Sequence, residues 1–139
     1  MKIMAIDYGD AHTGIAVSDA LLTLAGFTTV ITAYRPEAVA AEVQNLIAEH
    51  GVTELVLGHP LNMDGTRGPR AEKAEGFAAL LRETTGLPVT LWVERRATVD
   101  ALDILMAGGK NAKQRKKTVD AVAASLMLEG YLTFKKRQK

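Results

Sequence analysis

Asp7, Glu94 and Asp120 are acids placed where an apolar run stops or a helix is about to start. Residues 2–6 read KIMAI, and Asp7 closes that run just before Gly9. Glu94 ends the apolar run at 91–93 in the same way, and Asp120 falls in the first turn of the last expected helix. Three carboxylates brought together repel, and they stay ionised at neutral pH cheaply only with a cation among them. Hard oxygen ligands select Mg²⁺ or Mn²⁺. Two such ions about 3.5–4 Å apart stabilise both the attacking and the leaving oxygen of a phosphoryl displacement, the chemistry of many nucleases. Plainer readings stand beside this one. Asp7 can simply solubilise a strand end, and Asp120 at a helix start gains about 0.3–1 kcal/mol from the helix dipole.

The elements that must position these acids follow from periodicity. Residues 12–18 form a second extended segment that folds back on the first as a hairpin, with Gly9 and Gly14 flanking the turn. Residues 26–32 alternate as a half-buried strand. Pro36 opens a helix with Val39, Val43, Leu46 and Ile47 on one stripe, stopped by Gly51. Residues 54–58 read as a strand covered on both faces, followed by a long polar loop over 59–68. Pro69 opens a second helix with Ala74, Phe77, Leu80 and Leu81 inward, up to Gly86. A strand over 87–93 follows, then a helix capped by Thr98 and running to Gly108. Residues 109–117 read as a mobile basic loop, and Thr118 caps a last helix with Val119, Val122, Ala123 and Leu126 at helical spacing. The order β-β-β-α-β-α-β-α-α predicts an α/β domain: a mixed five-stranded sheet, antiparallel in its hairpin strands and parallel elsewhere, flanked by helices. The carboxyl ends of strands one, four and five then open on one side, which is where such sheets bind ligands.

The totals set the class. A chain of 139 residues, 47% hydrophobic and 24% charged, is expected to form one soluble domain. It shows no apolar run long enough for a membrane span and no signal peptide, and it contains no cysteine, which fits a cytosolic protein. Charge is uneven. From Gly108 onward nine of the 17 basic residues face only two of the 16 acids. Lys113, Arg115 and Lys116 are therefore candidates for contact with a polyanion such as nucleic acid, while residues 133–139 read as a solvated basic tail. Seven aromatics are too few for base stacking as the main recognition mode, so backbone and shape recognition is expected. His12 and His59 lack the further ligands a zinc site needs and read as solvated loop residues. His50 reads as a favourable charge at a helix end, and Trp92 as a packing residue.

Four segments, IDYGDAHTGIAVSD (6–19), GHPLNMDGTRGPRAEKAEGFA (58–78), VERRATVDA (93–101) and KKTVDAVAASLMLEGYL (116–132), occur in an order that resembles the YqgF/RuvX family of Holliday junction resolvase-like proteins. The resemblance implies a ribonuclease H-like fold and a role in processing the 5′ end of precursor 16S ribosomal RNA. It also implies that Asp7, Glu94 and Asp120 ligate a divalent metal, Mg²⁺ or Mn²⁺, whose bound water is the nucleophile. Asn62, Arg67, Arg70 and Arg95 are then candidate substrate-binding residues, and Asp64 a turn residue. The chain departs from the family pattern at Ala11 and His12, where a basic pair is usual. It departs again at Val93, Arg96 and Ala97, where Val93 cannot supply a fourth carboxylate and Asp10 is the candidate replacement. Rival readings are a resolvase acting on branched DNA, a non-catalytic RNA-binding assembly factor and a small nucleotide-binding module. The last is weakest, because no G-x-x-x-x-G-K-[ST] loop is present. A monomer or a weak homodimer is expected.

Overall fold

In the computed structural model, which describes residues 2–22, 25–62, 64–95 and 112–137, five strands and three helices are seen. They run β1 (Lys2–Asp7), β2 (His12–Ser18), β3 (Ala25–Thr32), α1 (Pro36–His50), β4 (Val52–Leu61), α2 (Pro69–Thr85), β5 (Val89–Arg95) and α3 (Ala112–Arg137). The sheet order is β3-β2-β1-β4-β5, antiparallel between β1, β2 and β3 and parallel between β1, β4 and β5. The mixed sheet expected from periodicity is the one observed. Residues 98–108, expected as a helix, lie outside the described residues, as do 109–111. Among the described residues, no helix is long and apolar enough to cross a membrane.

The two faces of the sheet are built from different residue sizes. One face carries Met4, Ile6, Ile15, Val17, Leu55 and Leu57 and packs on α1 and α2 through Val39, Val43, Phe77 and Leu81. Bulky side chains on both sides make this the larger core. The opposite face is lined by Ile3, Ala5, Ala16 and Val56 and receives Ala124, Met127, Leu128, Tyr131 and Leu132 of α3. Ala5 and Ala16 are direct cross-strand partners, so they form a shallow shelf on which the helix backbone can sit close. Replacing Ala16 by Leu would thrust a branched side chain into that close approach. The expected result is a loss of about 1–3 kcal/mol, read as a lower denaturant midpoint with an unchanged m-value.

Four sequence expectations change here. The fourth strand runs to Leu61, so His59 is strand and not loop. The last helix starts at Ala112 and not at Thr118, so Lys113, Arg115 and Lys116 belong to its first turns and not to a mobile loop. Its buried stripe matches the expected one at Ala123 but not at Leu126, which is exposed, while Ala124, Met127 and Leu128 are covered. The helix also continues through the supposed tail. Lys135 Nζ donates to Glu54 Oε1 at 2.8 Å, and the Tyr131 hydroxyl donates to Glu54 Oε2. Burial, reinforced by that carboxylate, holds the Tyr131 hydroxyl above its ordinary pKa. Trp92 packs as expected, edge-on to Tyr131 and Phe134. The His50 ring lies against Phe27 with centroids 4.4 Å apart, so packing and not only end charge accounts for it.

Candidate active site

Alternation along β1 sends Ile3 and Ala5 toward α3, and Asp7 is the next residue on that face. On β5, Trp92 belongs to the same cluster, which puts position 94 on that face as well. The register fixes their levels. Ile6 pairs with Leu57, one residue short of Asp7, while Glu94 pairs with Pro60. Positions 7 and 94 are thus separated by β4 alone, about 10 Å across two strand spacings and about 7 Å along the strands.

Helix α3 supplies position 120. Its far end is pinned by Tyr131 and Lys135 to Glu54, near the start of β4. Eleven helical residues rise about 16 Å, the length of about five strand residues, so position 120 is carried toward the level of His59 and Pro60. It is four residues before Ala124 and therefore on the stripe that faces the sheet. Position 113 is seven residues earlier on that stripe, with 116 and 117 between. The side chains of Glu94, Arg95, Lys113, Arg115, Lys116 and Asp120 lie outside the described residues.

Around Asp7 the side chains are described. A cleft of about 350 Å³ is lined by Asp7, Gly9, Asp10, His12, Arg70 and Lys73, among others. Gly9 has a steric reason: a Cβ there would stand 2.4 Å from the His12 carbonyl oxygen. The turn can close and leave the cleft floor open only with glycine. Arg70 and Lys73 enter from the first turns of α2, which Pro69 starts. Lys73 Nζ donates to Asp10 Oδ1 at 2.9 Å, so Asp10 ties the hairpin turn to α2 and is engaged by a cation. That contact weighs against Asp10 as the missing fourth carboxylate. Lys73 escaped the sequence reading, although its spacing of three from Arg70 is a same-face signal on a helix.

The loop after β4 is held by its own side chains. Asn62 Nδ2 donates to Thr66 Oγ1 at 2.9 Å, and Asp64 Oδ1 accepts from the Thr66 amide at 3.0 Å, the turn chemistry expected of Asp64. Arg67 Nε donates to Glu75 Oε2 at 2.8 Å, and its second guanidinium bond goes to Oε1 of the same carboxylate. His59 Nε2 lies 2.7 Å from Glu75 Oε2, with its side chain only 16% exposed, so it is not a solvated loop histidine. Arg67 is therefore engaged by Glu75 at the surface, closing the loop onto α2. Nothing in the sequence links residues 59, 67 and 75 until the strand and helix are placed side by side.

Hydrogen bonds, first from Arg67 and then from His59, hold the Glu75 carboxyl at about 2, below its ordinary 4.5. The folded state thus favours the carboxylate, and its stabilising contribution is full above about pH 4.5 and is lost as pH falls toward 2. Glu75→Gln is expected to flatten this acid limb. Denaturant midpoints at about pH 6 and about pH 3 should differ less in the variant than in the wild type.

A mixed sheet in this order, with acids at the carboxyl ends of β1 and β5 and a long helix across one face, defines a ribonuclease H-like domain. The Thermus thermophilus RuvC structure in complex with a Holliday junction substrate superposes with a TM-score of 0.57 at 18% identity, over 91% of each chain. The chain belongs to the RuvX family, described as Holliday junction resolvase, whose model matches residues 1–134. It is 41% identical over 137 residues to a Halothermothrix orenii protein named "Putative pre-16S rRNA nuclease", covering 99% of this chain and 98% of that one. A Geobacillus kaustophilus protein of the same name is 43% identical over 138 residues, covering 98% of this chain and all of that one.

The donor chemistry fits a hard divalent cation. Asp7 brings oxygen ligands to the edge of an open cleft; strand alternation puts position 94 on the same sheet face, and position 120 falls on the helix stripe that leads to Ala124. Among the described residues alone no group of three ligating side chains is present, Asp7 being the one member of the set whose side chain is described.

Proposed function

We propose that this chain is a divalent-metal-dependent nuclease that trims the 5′ end of precursor 16S ribosomal RNA in the cytosol, as a monomer or weak homodimer. The observation that carries the reading is the shared face and nearby level of positions 7, 94 and 120 at the open end of the sheet. The names of full-length relatives supply the substrate class. Asp7, Glu94 and Asp120 would hold Mg²⁺ or Mn²⁺, which when bound neutralises charge on the reacting phosphate and lowers the pKa of a coordinated water. Arg70 and Lys73, lining the cleft beside Asp7, draw in and orient the phosphate. Gly9 lets the turn beside Asp7 close against the His12 carbonyl. Asn62 and Arg67 act indirectly, by fixing the loop that leads into Arg70. Arg95, Lys113, Arg115 and Lys116 extend the cationic track along the nucleic-acid backbone.

The test is cleavage of a precursor 16S RNA end beside a four-way DNA junction, with Mn²⁺, with Mg²⁺ and with EDTA. Ion-dependent trimming of the RNA alone is the expected result. Junction cleavage alone would replace the substrate with branched DNA, as the family description suggests. Tight RNA binding without cleavage under any ion would leave an assembly factor.

A further inference from the structure

Next to the Asp7 cleft is a second hollow of about 400 Å³, within the range of small-molecule sites. Tyr8, Asp10 and Lys73 line both, so the ion pair between Lys73 and Asp10 is their common wall. The remaining lining is mostly apolar, with Tyr34, Pro36, Gly76 and Phe77 around it. Tyr8 stacks on Phe77 with ring centroids 4.1 Å apart and planes 7° from parallel, which makes a flat wall. Tyr34 follows β3 and is 78% exposed, an aromatic ring that folding does little to hide.

Gly76 adds an independent observation. It lies inside α2, where glycine costs about 1 kcal/mol relative to alanine. No left-handed backbone angle requires it, and a Cβ built there meets nothing within 4 Å. Neither packing nor conformation explains this glycine. Gly76 lines the hollow, and the space a Cβ would take there is open.

We propose that this hollow is a subsite for one unpaired nucleobase of the substrate strand, stacked on Tyr34 above the floor at Gly76, next to the phosphate in the Asp7 cleft. This deepens the nuclease reading and rests on it. An open, apolar, aromatic-walled space suits a flat ring, and every base has a stacking face, so the subsite is tolerant of sequence. Continuity with the cleft through Tyr8 means that a strand whose phosphate reaches Arg70 and Lys73 delivers its neighbouring base there. A paired base, held inside a duplex, cannot enter. The subsite therefore selects single-stranded ends over fully paired RNA.

The experiment measures binding of an RNA duplex carrying a short single-stranded overhang with 2-aminopurine, against the same duplex without the overhang, in EDTA to prevent cleavage. Wild type is expected to prefer the overhang and to change the 2-aminopurine fluorescence. Tyr34→Ala and Gly76→Leu should each weaken overhang binding roughly five- to a hundredfold while leaving blunt-duplex binding within about twofold. Tyr34→Phe should restore the preference. Gly76→Leu should fold at least as stably as wild type, since it replaces a mid-helix glycine over open space. Unchanged overhang affinity and fluorescence in both variants, with RNA binding intact, would overturn the subsite and leave the nuclease reading standing. Wild-type protein that binds neither RNA would overturn both.

Discussion

Asp7→Asn is expected to reduce metal-dependent cleavage by about a thousandfold or more while leaving nucleic-acid affinity within about twofold of wild type. The substitution keeps the shape of the side chain at the end of β1, so the ladder to Gly14 and the cleft lined by Arg70 and Lys73 are preserved. What it removes is one anionic ligand from the proposed ion site. Metal ions contribute several kcal/mol of transition-state charge stabilisation. At about 1.36 kcal/mol per tenfold, losing most of that is three decades or more in rate. Binding responds differently, because loss of a negative charge beside two cations does not repel phosphate. Cleavage would be followed on gels, and affinity by anisotropy in the presence of EDTA. Cleavage by the variant at the wild-type rate would remove Asp7 from the ion site and, with it, the catalytic assignment.

Replacing Lys113, Arg115 and Lys116 together by alanine is the second large effect. All three belong to the first turns of α3, with 113 and 116 on the stripe that leads to position 120. If each neutralises one phosphate, the slope of log affinity against log salt becomes shallower by about two to three. At low salt the affinity itself should fall by tens-fold or more, and the difference should shrink as salt rises. Alanine keeps the helix well formed, so circular dichroism should not change. An unchanged slope would place the contact surface elsewhere.

The strands were legible because burial writes itself into apolar runs. The alternation in residues 26–32 and the block Leu55, Val56, Leu57 each predict the strand that is found. The start of the last helix was not legible. Gly108, Gly109 and a cluster of lysines look like a loop, yet lysine and arginine are good helix formers, and α3 extends from Ala112. Its buried stripe was misjudged because Ala124 looks neutral in sequence. Only the shelf made by Ala5 and Ala16 reveals why a small residue is wanted there. Asp7 and Glu94 could be picked out because a charge ending an apolar run is conspicuous, and their common face follows from strand parity. The grip of Glu75 on Arg67 and His59 joins three segments, and contacts of that kind carry no local signature.

The unequal faces of the sheet divide the proposed ion site between two structural units. Asp7 and Glu94 ride on strands that the bulky side already welds to α1 and α2, whereas Asp120 arrives on a separate layer resting on alanines. If that layer loosens first, the proposed ion site loses position 120 while β1 and β4 stay packed on α1 and α2. Inactivation by mild denaturant should accordingly precede the main unfolding transition, with metal affinity the first property to go.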